Sequence, residues 1–311
     1  MSSYLSTISF LLILLSSILG VQPVLSIEAN PPQEDVIETT DEFDVFNDIS
    51  DHWSRHVINW LVRDNPQQIS YLKNQGESFR AGCPITRGEW AMMSMTVLDL
   101  ENRPDAEPNR VAKAPKCSNR PGQPCPFSDV PASSEGSLGS SDYQATYHAF
   151  RTGMMSGYKD GTFRPQQPLT YAEAVVSLAN GLNLISQIDS LKQQNREKPS
   201  IIGTDYFMNG SVMEDAWFAP ALHGALLANL VALDWPLEFY PDMSLSRGEA
   251  AVMMYLTLAY QGQASLDNPI LKQETVPGSG EYAFRHIRMA GEPNFSFGPP
   301  YDQRQCNPKS F

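Results

Sequence analysis

Three short phrases place a hydroxyl, a basic or aromatic residue and a carboxylate at fixed spacing. They are Thr86-Arg87-Gly88-Glu89, Thr170-Tyr171-Ala172-Glu173 and Ser246-Arg247-Gly248-Glu249. A Ser or Thr followed three residues later by Glu is the pattern of a capping box, in which both side chains bond to backbone N–H groups at a helix start. The phrases therefore predict capping by the following residues: Thr86, Glu89, Thr170, Glu173, Ser246 and Glu249.

The two arginines in these phrases have no such structural explanation. A helix start carries partial positive charge and gains nothing from an added cation. Placing Arg87 and Arg247 there is sensible if an anion must be met, because exposed N–H groups and the guanidinium then converge on it. We predict that both arginines contact a ligand. The alternative is an ordinary salt bridge to Asp48 or to a neighbouring carboxylate.

The phrases also mark an internal repeat. Each follows an aromatic phrase by roughly 40 residues, a period typical of repeat architectures. The aromatic phrases are Phe46-Asn47-Asp48, Phe127-Ser128-Asp129 and Phe207-Met208-Asn209. Apolar residues at helical spacing predict two helices in each unit, joined by a loop. The predicted first helices are 53–64, 142–154 and 216–231, and the second helices are 87–100, 172–184 and 248–260. The helical spacing places Leu178 on the apolar face of the helix at 172–184.

The loop is most complete in the second unit, between residues 153 and 165. Gly157 and Gly161 suit backbone angles that other residues avoid, and Asp160 followed by Gly161 is a tight-turn signal. Tyr158, beside these glycines, is the better exposed aromatic candidate for ligand contact. The corresponding loops of the first and third units keep only fragments of this pattern.

The composition limits the partners and the compartment. The chain has 311 residues and a net charge of −13, which argues against nucleic acid or an anionic membrane as a bulk partner. Residues 1–26 hold an uncharged apolar run and small residues before a cleavage point, as in a secretory signal peptide. An uncleaved membrane anchor is the alternative. We expect an exported protein with no membrane span after signal cleavage.

The rest of the chain divides by composition and by the repeat. An acidic linker occupies 27–44, and repeats occupy 45–100, 127–185 and 204–262. A Pro- and Cys-bearing insertion at 101–126 and a connector at 186–203 separate them. The connector is polar enough to be an exposed helix or a loop, and 263–311 is expected to be an irregular tail. Four cysteines in an exported chain make disulfides plausible. We expect Cys117 to pair with Cys125 and Cys83 with Cys306, although spacing alone leaves the other pairings open.

The second repeat resembles the S-layer homology motif, of which related exported bacterial proteins carry three. From Phe127 to Glu173 it has, in order, Phe-x-Asp, an aromatic-rich helix, the Gly-Tyr-x-Asp-Gly-Thr-Phe-x-Pro loop and the Thr-x-x-Glu phrase. The resemblance covers about two thirds of the chain. It implies a mainly α fold, with three helix-loop-helix repeats in a pseudo-threefold arrangement around a central helical bundle.

The same resemblance implies non-covalent anchoring to an acidic, peptidoglycan-linked cell-wall polysaccharide, in the periplasm, cell wall or cell surface. Matching positions make Arg87, Arg247, Gly157 and Tyr158 the ligand contacts. Two departures, Tyr171 in place of arginine and Asn209 in place of aspartate, imply that at most two of three grooves are competent.

Two other functions remain open. Eroded loops in the first and third repeats fit an envelope scaffold that has lost glycan binding, and abundant carboxylates leave room for a wall-glycan hydrolase. The five histidines show no metal spacing, so we expect no catalysis, no metal and no cofactor. Trp53, Trp60 and Trp217 could stack on sugars, but helical spacing favours the core. For Asp48 and Asp129 a structural role, such as capping the first helices, is favoured.

Overall fold

The structure is a computed structural model, and its chain divides into two units, residues 1–43 and 44–311. All described residues lie in the second unit: 44–65, 77–107, 110–116, 124–130, 138–194, 216–231, 240–264, 271–275, 285–289 and 306. The predicted signal peptide, nearly all of the acidic linker, Cys117 and the phrase at 207–209 lie outside them.

The described part of the chain is mainly helical, in agreement with the predicted class. Its helices are α1 (Arg55–Arg63), α2 (Arg87–Val97), α3 (Leu138–Arg151), α4 (Tyr171–Gly181), α5 (Leu184–Gln194), α6 (Ala219–Leu227) and α7 (Arg247–Tyr260). Helix α5 occupies most of the first half of the predicted connector, for which either a helix or a loop was expected. No helix within these ranges has the length and apolar character needed to cross a membrane.

Helices α2, α4 and α7 each begin at a capping box. In α4, the Glu173 N–H donates to Thr170 Oγ1 at 3.3 Å, and the Thr170 N–H donates to Glu173 Oε2 at 3.1 Å. The same reciprocal pair is present at Thr86 with Glu89 and at Ser246 with Glu249. Each box satisfies N–H groups that a helix start leaves without an intrahelical partner.

The helices pack in a cyclic order. Helix α2 of the first repeat packs against α3 of the second, α4 of the second against α6 of the third, and α7 of the third against α1 of the first. One cluster of buried apolar side chains runs through all three repeats. Leu178, predicted on the apolar face of α4, is fully buried in it. The three second helices therefore contribute to one core.

The segments before α2, α4 and α7 are joined by a closed ring of backbone hydrogen bonds. Ile85 donates to Leu245, Leu245 to Leu169, and Leu169 to Ile85, each over 2.9 Å. All three residues are fully buried. Because buried backbone groups without partners are costly, this ring ties the three repeats together at the centre of the fold.

Each helix start also receives carbonyl groups from the loop of the next repeat. The N–H of Arg87 donates to Gln167 O, that of Tyr171 to Met243 O and that of Arg247 to Cys83 O, over 2.8 to 2.9 Å. The contacts thus run from the first repeat to the second, from the second to the third, and from the third back to the first.

The insertion is anchored by a buried arginine in α3. Arg151 donates from its guanidinium to the carbonyl groups of Leu100, Glu101 and Arg103. Arg103 in turn donates to the carbonyl of Gly181, at the end of α4. The start of the insertion is therefore fixed onto the helices, which its proline content did not predict.

The sequence predicted an irregular tail, but part of the tail forms two strands. Strands β1 (Leu271–Thr275) and β2 (Arg285–Met289) pair antiparallel. Strands this short give a weak pattern in sequence, because five residues hold little periodicity. A disulfide joins Cys83 to Cys306. Cys125 is also disulfide-bonded, whereas its expected partner Cys117 lies outside the described residues.

Candidate functional site

A pocket of about 230 Å³ lies where the first and second repeats meet. It brings together the start of α2, the glycine loop of the second repeat, one face of α4 and Trp217, two residues before α6 in the third repeat. Its lining residues are Arg87, Met154, Met155, Ser156, Gly157, Tyr158, Glu173, Val176, Ser177, Asn180 and Trp217. Three of the four predicted ligand contacts, Arg87, Gly157 and Tyr158, therefore converge here.

Arg87 is buried in the wall of this pocket rather than exposed on its rim. Its side chain is 6% exposed and forms an ion pair with Glu173 at 3.0 Å. Its Nε donates to Phe163 O and its Nη2 to Ser156 O, both at 2.9 Å. A guanidinium has five N–H groups, and these contacts use three of them. The salt-bridge alternative is thus present, with the capping glutamate of the next repeat as the partner.

Glu173 connects the capping box to the pocket. Its Oε2 accepts from the Thr170 N–H, and its Oε1 accepts from Arg87 and, at 3.3 Å, from the Tyr158 hydroxyl. Burial raises the pKa of the Tyr158 hydroxyl, an effect that the neighbouring charge of Arg87 opposes. The hydroxyl therefore stays protonated at neutral pH and acts as a donor.

Tyr158 itself is only half-buried, and its ring lies near two cations. The guanidinium carbon of Arg87 is 4.9 Å from the ring centroid, and that of Arg164 is 3.9 Å from it. Contacts of this kind are favourable because the ring face is electron-rich. They fix the orientation of the ring at the pocket.

Gly157 has a different structural reason from the one predicted. A Cβ atom at this position would lie 2.3 Å from the Phe127 ring and 2.6 Å from Thr162 O. Its backbone angle is not among the positive φ values, whereas Gly161 has φ of +79°. Close approach of Phe127, rather than backbone strain, therefore requires glycine at position 157.

Trp217 is a solvent-exposed aromatic residue in the pocket lining. It is 66% exposed, although helical spacing favoured a core position for it. The reason for the error is that α6 begins at Ala219, so Trp217 lies before the helix and its periodicity. Trp60, by contrast, packs against Tyr255 with ring centroids 4.8 Å apart, and Trp53 is only partly buried.

Asp129 stabilises the glycine loop through hydrogen bonds to its backbone. Its carboxylate accepts from the N–H groups of Phe163 and Arg164 at 2.8 and 2.7 Å. Arg164 has φ of +58°, a conformation that is uncommon for residues other than glycine. Asp48 accepts from Phe79 and Arg80 in the same way. The structural role is therefore to brace this turn, not to cap a helix or to pair with the capping-phrase arginine.

Arg247 lies away from this pocket, at the contact between the third and first repeats. Its side chain is 3% exposed and forms an ion pair with Glu89. Its Nε donates to Phe79 O at 2.7 Å. These contacts correspond to those of Arg87, which bonds to the glutamate and the phenylalanine carbonyl of the second repeat in the same way.

The contact between the second and third repeats differs, because Tyr171 replaces the arginine. Tyr171 is buried, and burial together with the charge of Glu249 raises the pKa of its hydroxyl well above the usual value. Burial also raises the pKa of the Glu249 carboxyl, against the lowering effect of its bonds to Ser246. A half-buried glutamate side chain lies near the neutral ring of Tyr171 here, where the other two contacts hold an ion pair.

Within the described ranges, no group of three His, Cys, Asp or Glu side chains is arranged to hold a metal. Sequence reasoning assigned Glu173 to capping alone and did not consider Ser156 or Asn180. Glu173 lies in a recognisable capping phrase, but its second role depends on a partner 86 positions away. Ser156 could have been predicted as a pocket residue, because it directly precedes Gly157 of the glycine loop.

Comparison with protein families places a recognised domain on this part of the chain. Residues 149–175 match the S-layer homology domain. The matched segment runs from the end of α3 through the glycine loop to the capping box of α4, so it contains most of the pocket. A comparison with curated proteins finds no match to the chain.

Proposed function

We propose that this chain is an exported envelope protein that binds a cell-wall polysaccharide non-covalently through three S-layer homology repeats. The pocket at the contact of the first two repeats carries the proposal, because it lies on the segment that matches the domain. The repeated capping phrases and the cyclic packing of the helices support two further repeats in a pseudo-threefold arrangement.

The side chains of the pocket suit a carbohydrate. Ligand sites combine apolar and aromatic surfaces with a few convergent polar groups. Trp217 offers an exposed ring face, and the polar side chains of Asn180 and Glu173 lie on the same lining. A sugar presents an apolar ring face and hydroxyl groups, so stacking and hydrogen bonding are both available.

The charge of the pocket limits how Arg87 can act. Because it already pairs with Glu173, it contributes directed N–H groups to the ligand rather than an unpaired cation. We infer that Arg87 serves binding chiefly by fixing Ser156 and Glu173. Under this proposal Arg87 has a structural role as well as a role in binding.

The experiment is a pulldown with purified peptidoglycan sacculi, with and without their attached polymer. Wild-type protein should sediment with complete sacculi and should not degrade them. Trp217→Ala should weaken sedimentation, because the exposed ring is removed with little loss of packing. The control is Ile185→Ala, which truncates an exposed apolar side chain, 45% accessible, outside the pocket lining. Equal sedimentation of wild type with stripped sacculi would contradict recognition of the polymer.

One observation favours a second candidate, an envelope scaffold without glycan binding. Both arginines of the capping phrases, Arg87 and Arg247, are buried in ion pairs between repeats. The family's anion contacts could therefore serve only assembly in this chain. Wild-type protein that sediments with neither form of sacculus would favour the scaffold, and soluble sugar fragments released by the protein would indicate a hydrolase.

A further inference from the structure

Ser156, on the rim of the pocket, is held by two arginines from different parts of the chain. Its carbonyl oxygen accepts from Arg87 Nη2 at 2.9 Å, and its hydroxyl contacts Arg110 Nη2 at 3.3 Å. Arg110 belongs to the insertion at 101–126, which lies outside the repeat pattern. The insertion thus places a cation in contact with Ser156, a residue of the pocket lining, although Arg110 itself does not line the pocket.

Arg110 differs from the neighbouring arginines in its pairing. Arg87 is bonded to Glu173 at 3.0 Å and Arg164 to Asp160 at 2.9 Å. The carboxylate paired with Arg110 is Glu107, at 3.9 Å and with a side chain 73% exposed. A solvated pair at that distance has little stability, so the charge of Arg110 is only weakly compensated among the described residues.

The guanidinium of Arg110 is also held in place before any ligand binds. It lies over the Phe150 ring, 4.5 Å from the centroid, and its side chain is 18% exposed. Its Nε is buried and has no hydrogen-bond partner in the described part of the structure. A side chain that is already ordered loses less entropy on binding. Arg110 therefore combines a weakly compensated charge with a fixed position.

We propose that Arg110 recognises a carboxylate of the wall polysaccharide, next to the sugar held against Trp217. This inference rests on the proposed function and assigns the acidic group to a residue of the insertion. The paired arginine Arg87 then holds Glu173 and Ser156 in place, and the weakly paired Arg110 binds the negative charge of the ligand. A carboxylate is the matching group because its two oxygens accept in parallel from a planar guanidinium.

The test uses polymer released from sacculi, before and after chemical reduction of its carboxyl groups to alcohols. Binding of the full chain is measured by calorimetry at two salt concentrations. Arg110→Gln should bind the untreated polymer roughly tenfold more weakly, the loss expected for one hydrogen bond to a charged group. It should bind the reduced polymer as wild type does, and its salt dependence should be smaller. The control is Arg55→Gln, which removes an arginine paired with Asp44 at 2.6 Å, outside the pocket lining.

Two results would overturn the proposal. One is unchanged affinity of Arg110→Gln for the untreated polymer, and the other is an equal loss on both polymers, which would indicate a structural role. If the glutamine variant does not fold, Arg110→Lys serves instead, and a lysine variant that loses affinity equally for both polymers would also overturn it. Binding by wild type that Trp217→Ala abolishes, without an effect at Arg110, rejects this inference alone. Absence of wild-type binding rejects the proposed function itself.

Discussion

Arg87 and Glu173 come from the capping phrases of two successive repeats and meet in a largely buried ion pair, 3.0 Å apart. The glutamate caps its own helix with one oxygen and holds the arginine of the preceding repeat with the other. Arg247 and Glu89 form the corresponding pair between the third and first repeats. Each phrase therefore stabilises a helix and joins it to a neighbour.

The buried arginines should matter for stability. Arg247→Ala would remove the guanidinium that bonds to Glu89 and to the carbonyl of Phe79, and losing one member of a buried pair costs about 3 kcal/mol or more. We expect a clear decrease in the free energy of unfolding, measured by urea denaturation. Arg164→Ala, which removes a solvent-exposed arginine from its pair with Asp160, is the control and should change it little. Equal effects of the two substitutions would argue against the interface role of Arg247.

The contact at Tyr171 should make stability depend on pH. Burial raises the pKa of Glu249, so its contribution is full below the unfolded-state pKa, about 4.3, and is lost as pH rises through the folded-state pKa. Glu249→Gln removes this titration. The variant should therefore gain stability relative to wild type as pH increases from about 4 to 7.

Glu173→Gln is the matched control, because it changes the equivalent residue where an arginine is present. It should lose stability at neutral pH, since Arg87 would lack its ionic partner. Thermal unfolding across pH measures both variants. The same pH trend in both would show that Tyr171 makes no difference.

The common core can be tested at α4. Leu178 is fully buried, and truncating a buried leucine to alanine costs about 2–5 kcal/mol. Leu178→Ala should lower the free energy of unfolding by that amount. Ile185→Ala, at an exposed position of α5, should stay within about 0.5 kcal/mol of wild type. A melting temperature unchanged by Leu178→Ala would place the residue outside the core.

The tail should remain attached to the first repeat under oxidising conditions. Cys83 and Cys306 are joined over a sequence separation of 223 residues. Peptide mapping without reductant should recover the two cysteines in one linked species, which separates on reduction. Recovery of four free thiols, or of Cys83 linked to Cys125, would reject this connectivity.

Helix starts were predictable because their signals are local. A hydroxyl and a carboxylate three residues apart specify a capping box without reference to the rest of the chain, and α2, α4 and α7 begin at these phrases. The apolar spacing of α4 likewise indicated Leu178 as a core residue. Local patterns of this kind can be recognised in the sequence without knowledge of tertiary contacts.

The roles of the arginines and of Trp217 depended on distant partners. Arg87 meets Glu173 across 86 positions and Arg247 meets Glu89 across 158, so no local pattern revealed that they are buried. Trp217 was assigned by a helical period that does not extend to it. The Arg110 position depends on how the insertion lies against α3, which composition alone does not specify.

The ring formed by Ile85, Leu169 and Leu245 has a consequence for the number of repeats. In a linear array, removing an end unit breaks one contact and leaves the others intact. In a closed ring every unit has two neighbours, so deleting any one repeat breaks two contacts and exposes buried backbone groups of the remaining pair. Adding or removing a single unit, the usual route of change in repeat proteins, would therefore open the ring, and we expect the three units to unfold together.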